Sequence, residues 1–297
     1  MKRDPLVLLL TSLTMLGAAP VLHDDQRARC RDILLRALQE DSPWIRVHAA
    51  EALIALKQAE PALAAFRPKA DTTEPRYRIV VWRVLAQAEP DAAQRRQYVE
   101  RIRTALMDPN ATDHAHAMEA LAKLHEPAAD DAERKRIAEV ADAKSQISPF
   151  AIWRLANASD ATAIERLVAL LSADDAVTRS RAAYVLSRLQ PLPATASQAV
   201  TATLDKEPAD SPARIMLRAA QGGQAVREMA KDSKVAPSGR YFAAMNLAES
   251  GTTEDYAILD TLLNDSDSDV RVGAAYAALQ IDARAASAAS APTTSGR

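Results

Sequence analysis

Four stretches of the chain follow one script. Residues 41–56 read DSPWIRVHAAEALIAL, residues 174–189 read DDAVTRSRAAYVLSRL, and residues 265–280 read DSDSDVRVGAAYAALQ. Residues 112–124, TDHAHAMEALAKL, are a shorter version. Each opens on turn-forming Asp, Ser or Pro and runs into an alanine-rich helix. In three of them an arginine (Arg46, Arg179, Arg271) stands five residues before Glu51, Tyr184 or Tyr276. A second echo joins residues 79–86, IVVWRVLA, to residues 152–156, IWRLA. Their Trp-Arg pairs stand 71 residues apart, two units of about 35 residues, the length of one helical hairpin. A single hairpin cannot bury its own apolar surface, so the hairpins must stack on one another.

On this rhythm the second helices of eight hairpins are predicted to begin near Pro43, Pro75, Thr112, Pro149, Ala176, Pro212, Ser238 and Asp267. Several of these starts carry Ser, Asp or Thr caps or a proline in the first turn. The links between hairpins carry Pro61, Pro90, Pro127, Pro191, Gly222 and Gly251, as helix stops should. The composition agrees. Hydrophobic residues make up 48%, aromatics only 4%, and there are 7 glycines, too few for the turns of a strand-rich fold. An all-α chain is expected.

The Asp, Val-Arg and Ala-Ala-x-x-Leu signature, clear in residues 41–56, 174–189 and 265–279, resembles the HEAT-repeat family, in particular the bacterial HEAT-like repeats of the phycobilisome-lyase type. The resemblance covers residues 26–282 and is degraded around Trp82, Trp153, Met216 and Met245. It implies a right-handed α-α superhelix, an armadillo-like solenoid spanning residues 25–282, with a concave face free for a partner. It also implies a ladder in which turn aspartates (Asp41, Asp174, Asp267) pair with the stripe of Arg46, Arg78, Arg179 and Arg271, to which His114 belongs. Residues 283–297, rich in Ala, Ser and Thr, read as a disordered tail.

Helical periodicity sorts the second helices into faces. Ile45, Ala49, Ala52, Leu53 and Leu56 form the packing side, matched by Thr178, Ala182, Val185, Leu186 and Leu189 and by Val270, Ala274, Ala277, Ala278 and Ile281. The polar stripe through Trp44, His48, Glu51 and Ala55 is the concave face. Its Glu51 column reads Glu51, Arg83, Glu119, Arg154, Tyr184, Arg218, Asn246 and Tyr276. The first four alternate in sign, as an inter-repeat salt-bridge ladder does. Arg154, Arg181, Arg188 and Arg218 gather around Tyr184 without an acid in the same columns, so a patch suited to carboxylates is expected there. Trp82 and Trp153 are expected as core fillers, Trp44 as a surface anchor, and Cys30 as a small buried hydrophobe.

Residues 1–24 place Lys2 and Arg3 before an apolar stretch ending in Gly17, Ala18 and Ala19, the grammar of a secretory signal. A periplasmic or envelope protein is expected, with membrane association through residues 5–19 if the segment is retained. The alternative is a cytoplasmic protein in which residues 1–24 form a capping helix. The formal net charge of -2 lacks the basic excess of a general nucleic-acid binder. No metal-ligand cluster, Gly-rich nucleotide loop or nucleophile elbow is legible, so neither a metal nor a cofactor is expected. These readings together describe a non-catalytic scaffold that binds a protein or peptide, possible as an accessory subunit of an envelope enzyme or transporter. A binder of acidic sugars or small carboxylates is the second reading. A HEAT-like enzyme of base excision or bilin attachment is the third and is disfavoured.

Overall fold

The computed structural model describes residues 22–208 and 211–290, and among them every regular element is a helix. Residues 1–21, which hold the expected signal, lie outside the described residues. Eight outer helices are the first members of the hairpins: α1 (Asp24–Ala37), α3 (Ala59–Phe66), α5 (Ala92–Met107), α7 (Asp131–Asp142), α9 (Ala163–Leu170), α11 (Ala194–Lys206), α13 (Gly223–Lys231) and α15 (Tyr256–Leu262). Eight inner helices are the second members: α2 (Pro43–Ala55), α4 (Tyr77–Ala88), α6 (His114–Lys123), α8 (Ser148–Asn157), α10 (Ala176–Arg188), α12 (Pro212–Gln221), α14 (Pro237–Ser250) and α16 (Ser268–Ser290). Each inner helix begins within two residues of the start read from the repeat.

Local chemistry sets these boundaries. Pro43, Pro212 and Pro237 occupy the first turn of α2, α12 and α14, where a missing N–H costs nothing. Asp91, Asp130 and Asp175 cap α5, α7 and α10 through side-chain acceptors. Burial separates the two layers. Three of the fourteen residues of α1 are buried, against nine of the twelve of α4. An inner helix touches its own partner and both neighbours, so it must be apolar nearly all round.

Each inner helix packs on the next, and α16 then packs on α1 and α2. The stack therefore returns on itself as a two-layered ring rather than ending as an open curved rod. The seam is polar. Asp282, buried on α16, accepts from Arg27 Nε at 2.7 Å, from Arg27 Nη2 at 3.1 Å and from the Leu22 backbone N–H at 3.3 Å. Arg29 donates to Asn264 Oδ1 at 2.7 Å, Ser268 Oγ to Glu40 Oε1 at 3.1 Å, and His48 Nδ1 lies 2.7 Å from Asp269 Oδ1.

Three expectations are corrected here. The tail expected to be disordered from residue 283 continues α16 to Ser290. Its alanines favour helix, and Arg284 anchors it by donating to the carbonyls of Ala248 and Gly251 at the end of α14. The arginine ladder exists but does not use the aspartate carboxylates of its own turn. Arg46, Arg179 and Arg271 each donate to the carbonyl six residues back (Glu40 at 3.1 Å, Ala173 at 2.8 Å, Asp265 at 2.7 Å), and His114 Nε2 meets the Asp108 carbonyl at 2.6 Å. The acid partners come from the following hairpin: Arg78 pairs with Asp113, Arg179 with Glu207 and Arg240 with Asp265. Asp41 and Asp174 are exposed, and Asp267 accepts instead from the N–H groups of Asp269 and Val270 at the head of α16. Third, the two Trp-Arg pairs are not equivalent, as the central cavity shows.

Candidate functional site: the axial cavity

The inner helices run in one direction, start beside start and end beside end. At the starting end the ring of Trp44 on α2 lies 6.3 Å from that of His116 on α6. At the other end Arg188 of α10 pairs with Glu249 of α14 at 2.5 Å. Closing eight such helices into a ring leaves an axial cavity of about 530 Å³. Every inner helix contributes to its wall, and no outer helix does.

The wall follows one spacing. His48, Glu51 and Ala55 on α2, Phe150, Trp153 and Asn157 on α8, and Arg181, Tyr184 and Arg188 on α10 all line it at intervals of three and four residues, the positions that share one helix face. Of the twelve residues expected on the concave face, eight line the cavity: His48, Glu51, Glu119, Arg181, Tyr184, Arg188, Asn246 and Tyr276. Arg83 stands directly behind it, donating from Nε to Glu51 Oε1 at 2.7 Å.

Trp44, Arg154 and Arg218 do not line the cavity. Trp44 is 42% exposed, at the rim where the hairpins turn. Arg154 follows the lining residue Trp153 by one position, and one residue turns a helix by about 100°. Its guanidinium therefore points away from the axis and pairs with Glu133 of α7 at 2.7 Å. Arg218 falls beside the lining residue Met216 and is half-buried outside the wall. Trp82 also faces outward. It donates from Nε1 to the Ala70 carbonyl at 2.8 Å and lies beneath Arg78 and Arg101. Trp153 instead forms cavity wall. The 71-residue spacing of the Trp-Arg pairs thus matched residues one position out of register.

The expected cluster of unpaired arginines around Tyr184 is corrected accordingly. Arg154 is committed to Glu133, Arg188 reaches past α12 to Glu249, and Arg218 stands apart. Tyr184 is surrounded by other rings: Trp153 at 6.0 Å, Phe242 at 6.2 Å and Phe150 at 6.5 Å. The Lys123 ammonium lies 5.8 Å from its centroid. His48 stacks on Tyr241 at 4.6 Å. Side chains of α2, α6, α10 and α14 thus meet in front of the helices between them. Lys123 and Gln87 went unremarked in the sequence, although both occupy the Ala55 position of their hairpins and that column was already marked as inward. Phe150 and Met216 carried a weaker signal, since their repeats have lost the Arg-x-x-Ala-Ala punctuation; residues 240–244, RYFAA, keep it and put Phe242 and Met245 at the His48 and Glu51 positions.

The charges are tightly coupled. Burial drives the Glu51 carboxyl upward, but Arg83, Lys123 and His48 outweigh it and hold it down at about 2. Glu119 is likewise pressed upward by burial and carried below the usual range by Lys123, 3.0 Å away, and by Arg83. Lys123 is raised: burial and Arg83 oppose its charge, while Glu119, Tyr184 and Glu51 more than restore it. Arg181 is the exception. It has no carboxylate within ion-pair distance among the described residues; it donates to the Gln146 carbonyl at 2.8 Å and lies 5.3 Å from the Phe150 centroid. Burial lowers its affinity for a proton. Cys30 lies away from the cavity, fully buried, its thiol pushed by burial to about 11.

No protein-family model matches the chain, and no curated protein matches it. Among solved structures, one described only as an engineered protein is similar at 20% identity, covering 87% of this chain and 82% of its own, with a TM-score of 0.29. A second, described in the same terms, is 19% identical over 88% of this chain and 98% of its own, with a TM-score of 0.22.

Proposed function

We propose that this protein is a non-catalytic binding module of the bacterial cell envelope that takes its guest into the axial cavity. One observation carries the reading. The cavity is walled by all eight inner helices and lined by aromatic rings interleaved with polar groups. Its volume lies in the range of sites that enclose small organic molecules and short peptide segments. In this reading the eight hairpins form a HEAT-like right-handed superhelix of a single turn. A protein or peptide partner is engaged by an end or an extended segment entering the ring, not by lying along an open groove. Placement in the envelope rests on the basic and apolar grammar of residues 2–19, and the non-catalytic reading on the lack of a catalytic motif in the sequence.

A second reading, a receptor for acidic sugars or other small carboxylates, is favoured by Arg181 alone, the lining cation without an acid partner. Both readings use one cavity and share one test. The protein is screened by thermal shift against short peptides, acidic sugars and small organic acids, beside Ala55→Trp, which fills the mouth from a lining position. Ligands that stabilise the native ring and lose their effect on Ala55→Trp are expected. Ligands that act equally on both proteins would move the site elsewhere.

A further inference from the structure

The charges around the cavity can be matched one by one. Glu51 goes with Arg83, Glu119 with Lys123 and Arg188 with Glu249. Arg181 is left over. The acids that influence it, Glu119 and Asp175, are occupied: Glu119 by Lys123, Asp175 by the Thr178 hydroxyl and the first N–H groups of α10. Its cationic neighbour makes matters worse. Arg76, at the head of α4 with φ at 69°, repels both Arg181 and the nearby His116. A half-buried cation without an ion pair, with one face on the Phe150 ring, is satisfied best by an anion arriving from the cavity.

The Phe150 ring beside Arg181 leads to Tyr184, 6.5 Å from it, and Tyr184 to Trp153 and Phe242 at 6.0 and 6.2 Å, all of them cavity-lining.

We infer that the guest is a small monocarboxylate with an apolar or aromatic body, as in a short aromatic peptide with a free C-terminus. Its carboxylate lies on Arg181 and its body among the rings. The inference rests on the axial-cavity reading above and narrows it.

Titration calorimetry with phenylalanyl-phenylalanine, its C-terminal amide and 4-phenylbutyrate tests it on the full chain. The free dipeptide is expected to bind at least about tenfold more tightly than its amide, the step that one charge-assisted contact supplies. Arg181→Gln is expected to bind acid and amide alike, and Arg181→Lys to keep part of the preference. 4-Phenylbutyrate is expected to bind the native protein and to weaken on Arg181→Gln as the free dipeptide does. Circular dichroism confirms that each variant is folded. Equal binding of acid and amide by the native protein, or a preference that survives Arg181→Gln, overturns the carboxylate assignment. In either case cavity binding stands if Ala55→Trp abolishes the signal and falls if it does not. Absence of binding by all three compounds overturns this inference, and the broader screen then decides the cavity reading.

Discussion

Where hairpin four meets hairpin three, the contact is made by charge. Where hairpin eight meets hairpin seven, the inner helices meet through small side chains, and the ion pairs Arg227–Asp255 and Arg240–Asp265 lie beside that contact rather than within it. At the first boundary Glu133 of α7 accepts from Arg154 Nη1 at 2.7 Å, from Arg103 Nε at 3.2 Å and from the Ala129 N–H at 2.7 Å. The Arg154 and Glu133 side chains are only 2% and 3% exposed. Glu126 ties Arg95 and Arg103 into the same network. At the second boundary Gly273 and Ala274 of α16 lie against α14, and Gly273 is so close that a Cβ there would stand 3.1 Å from Tyr241 and 3.2 Å from Ala244. The lesson concerns sequence register. A small-residue boundary keeps the repeat's alanine columns intact, so residues 265–280 are the clearest copy of the signature. A charged boundary borrows its side chains from both layers, and its repeats drift.

The largest test of this contrast removes Glu133. Glu133→Ala strands Arg154 in the interior and is expected to cost about 3–5 kcal/mol in urea unfolding. Replacing Glu133 and Arg154 together with leucine and methionine is expected to restore most of that loss. A single variant no weaker than the double would mean that the network carries no stability.

Next comes pH. The Glu51 carboxyl, held at about 2 by Arg83, Lys123 and His48 against burial, is depressed relative to an unfolded glutamate. Its contribution is therefore fully present above about pH 4.5 and is lost as pH falls toward 2, about 3 kcal/mol over the window. Glu51→Gln is expected to flatten that part of the stability–pH curve. An unchanged slope would show that the Glu51–Arg83 pair, which joins hairpins one and two, contributes little.

The small-residue boundary breaks by a different route. Gly273→Leu is expected to cost about 1–3 kcal/mol by overpacking, with no dependence on pH. If it is tolerated, α14 and α16 are not in close contact.

The smallest effect is a gain, at the ends of three inner helices in hairpins one, three and four. Lys57, His125 and Ser159 follow α2, α6 and α8 with φ of 61°, 53° and 66°. Each sits in a turn where the next N–H reaches back five residues to a helix carbonyl, the helix ending that glycine favours. Replacing any one by glycine is expected to stabilise by about 0.5–1 kcal/mol, and the three gains should add. A loss would show that the side chain matters more than the backbone.

Much of the fold was legible because it is local. Pro43, Ala176 and Pro212 mark inner-helix starts through capping chemistry that acts within one turn. Most of the cavity wall was legible wherever Arg46, Arg179 or Arg271 pinned the register, so Glu51, Tyr184 and Tyr276 were placed correctly. Arg154 was misplaced because Ser148 stands where that arginine would, and Arg218 because Arg214, which donates to the Leu204 and Glu207 carbonyls, lacks the Ala-Ala pair at the usual distance. An error of one residue turns a side chain from the axis to the outer layer. Ring closure was not legible at all. Arg27 finds Asp282 across 255 residues, and no periodicity within a 35-residue unit records whether the last unit meets the first.

That closure is the central claim, and a distance across the seam tests it most directly. Spin labels at Arg29→Cys and Asn264→Cys, in a Cys30→Ala background, occupy positions whose native side chains are joined by a 2.7 Å hydrogen bond. The ring predicts one narrow population at the short end of the measurable range. An open stack of eight hairpins, spaced about 8–10 Å apart, predicts a separation on the order of 60 Å, and that result would contradict the account.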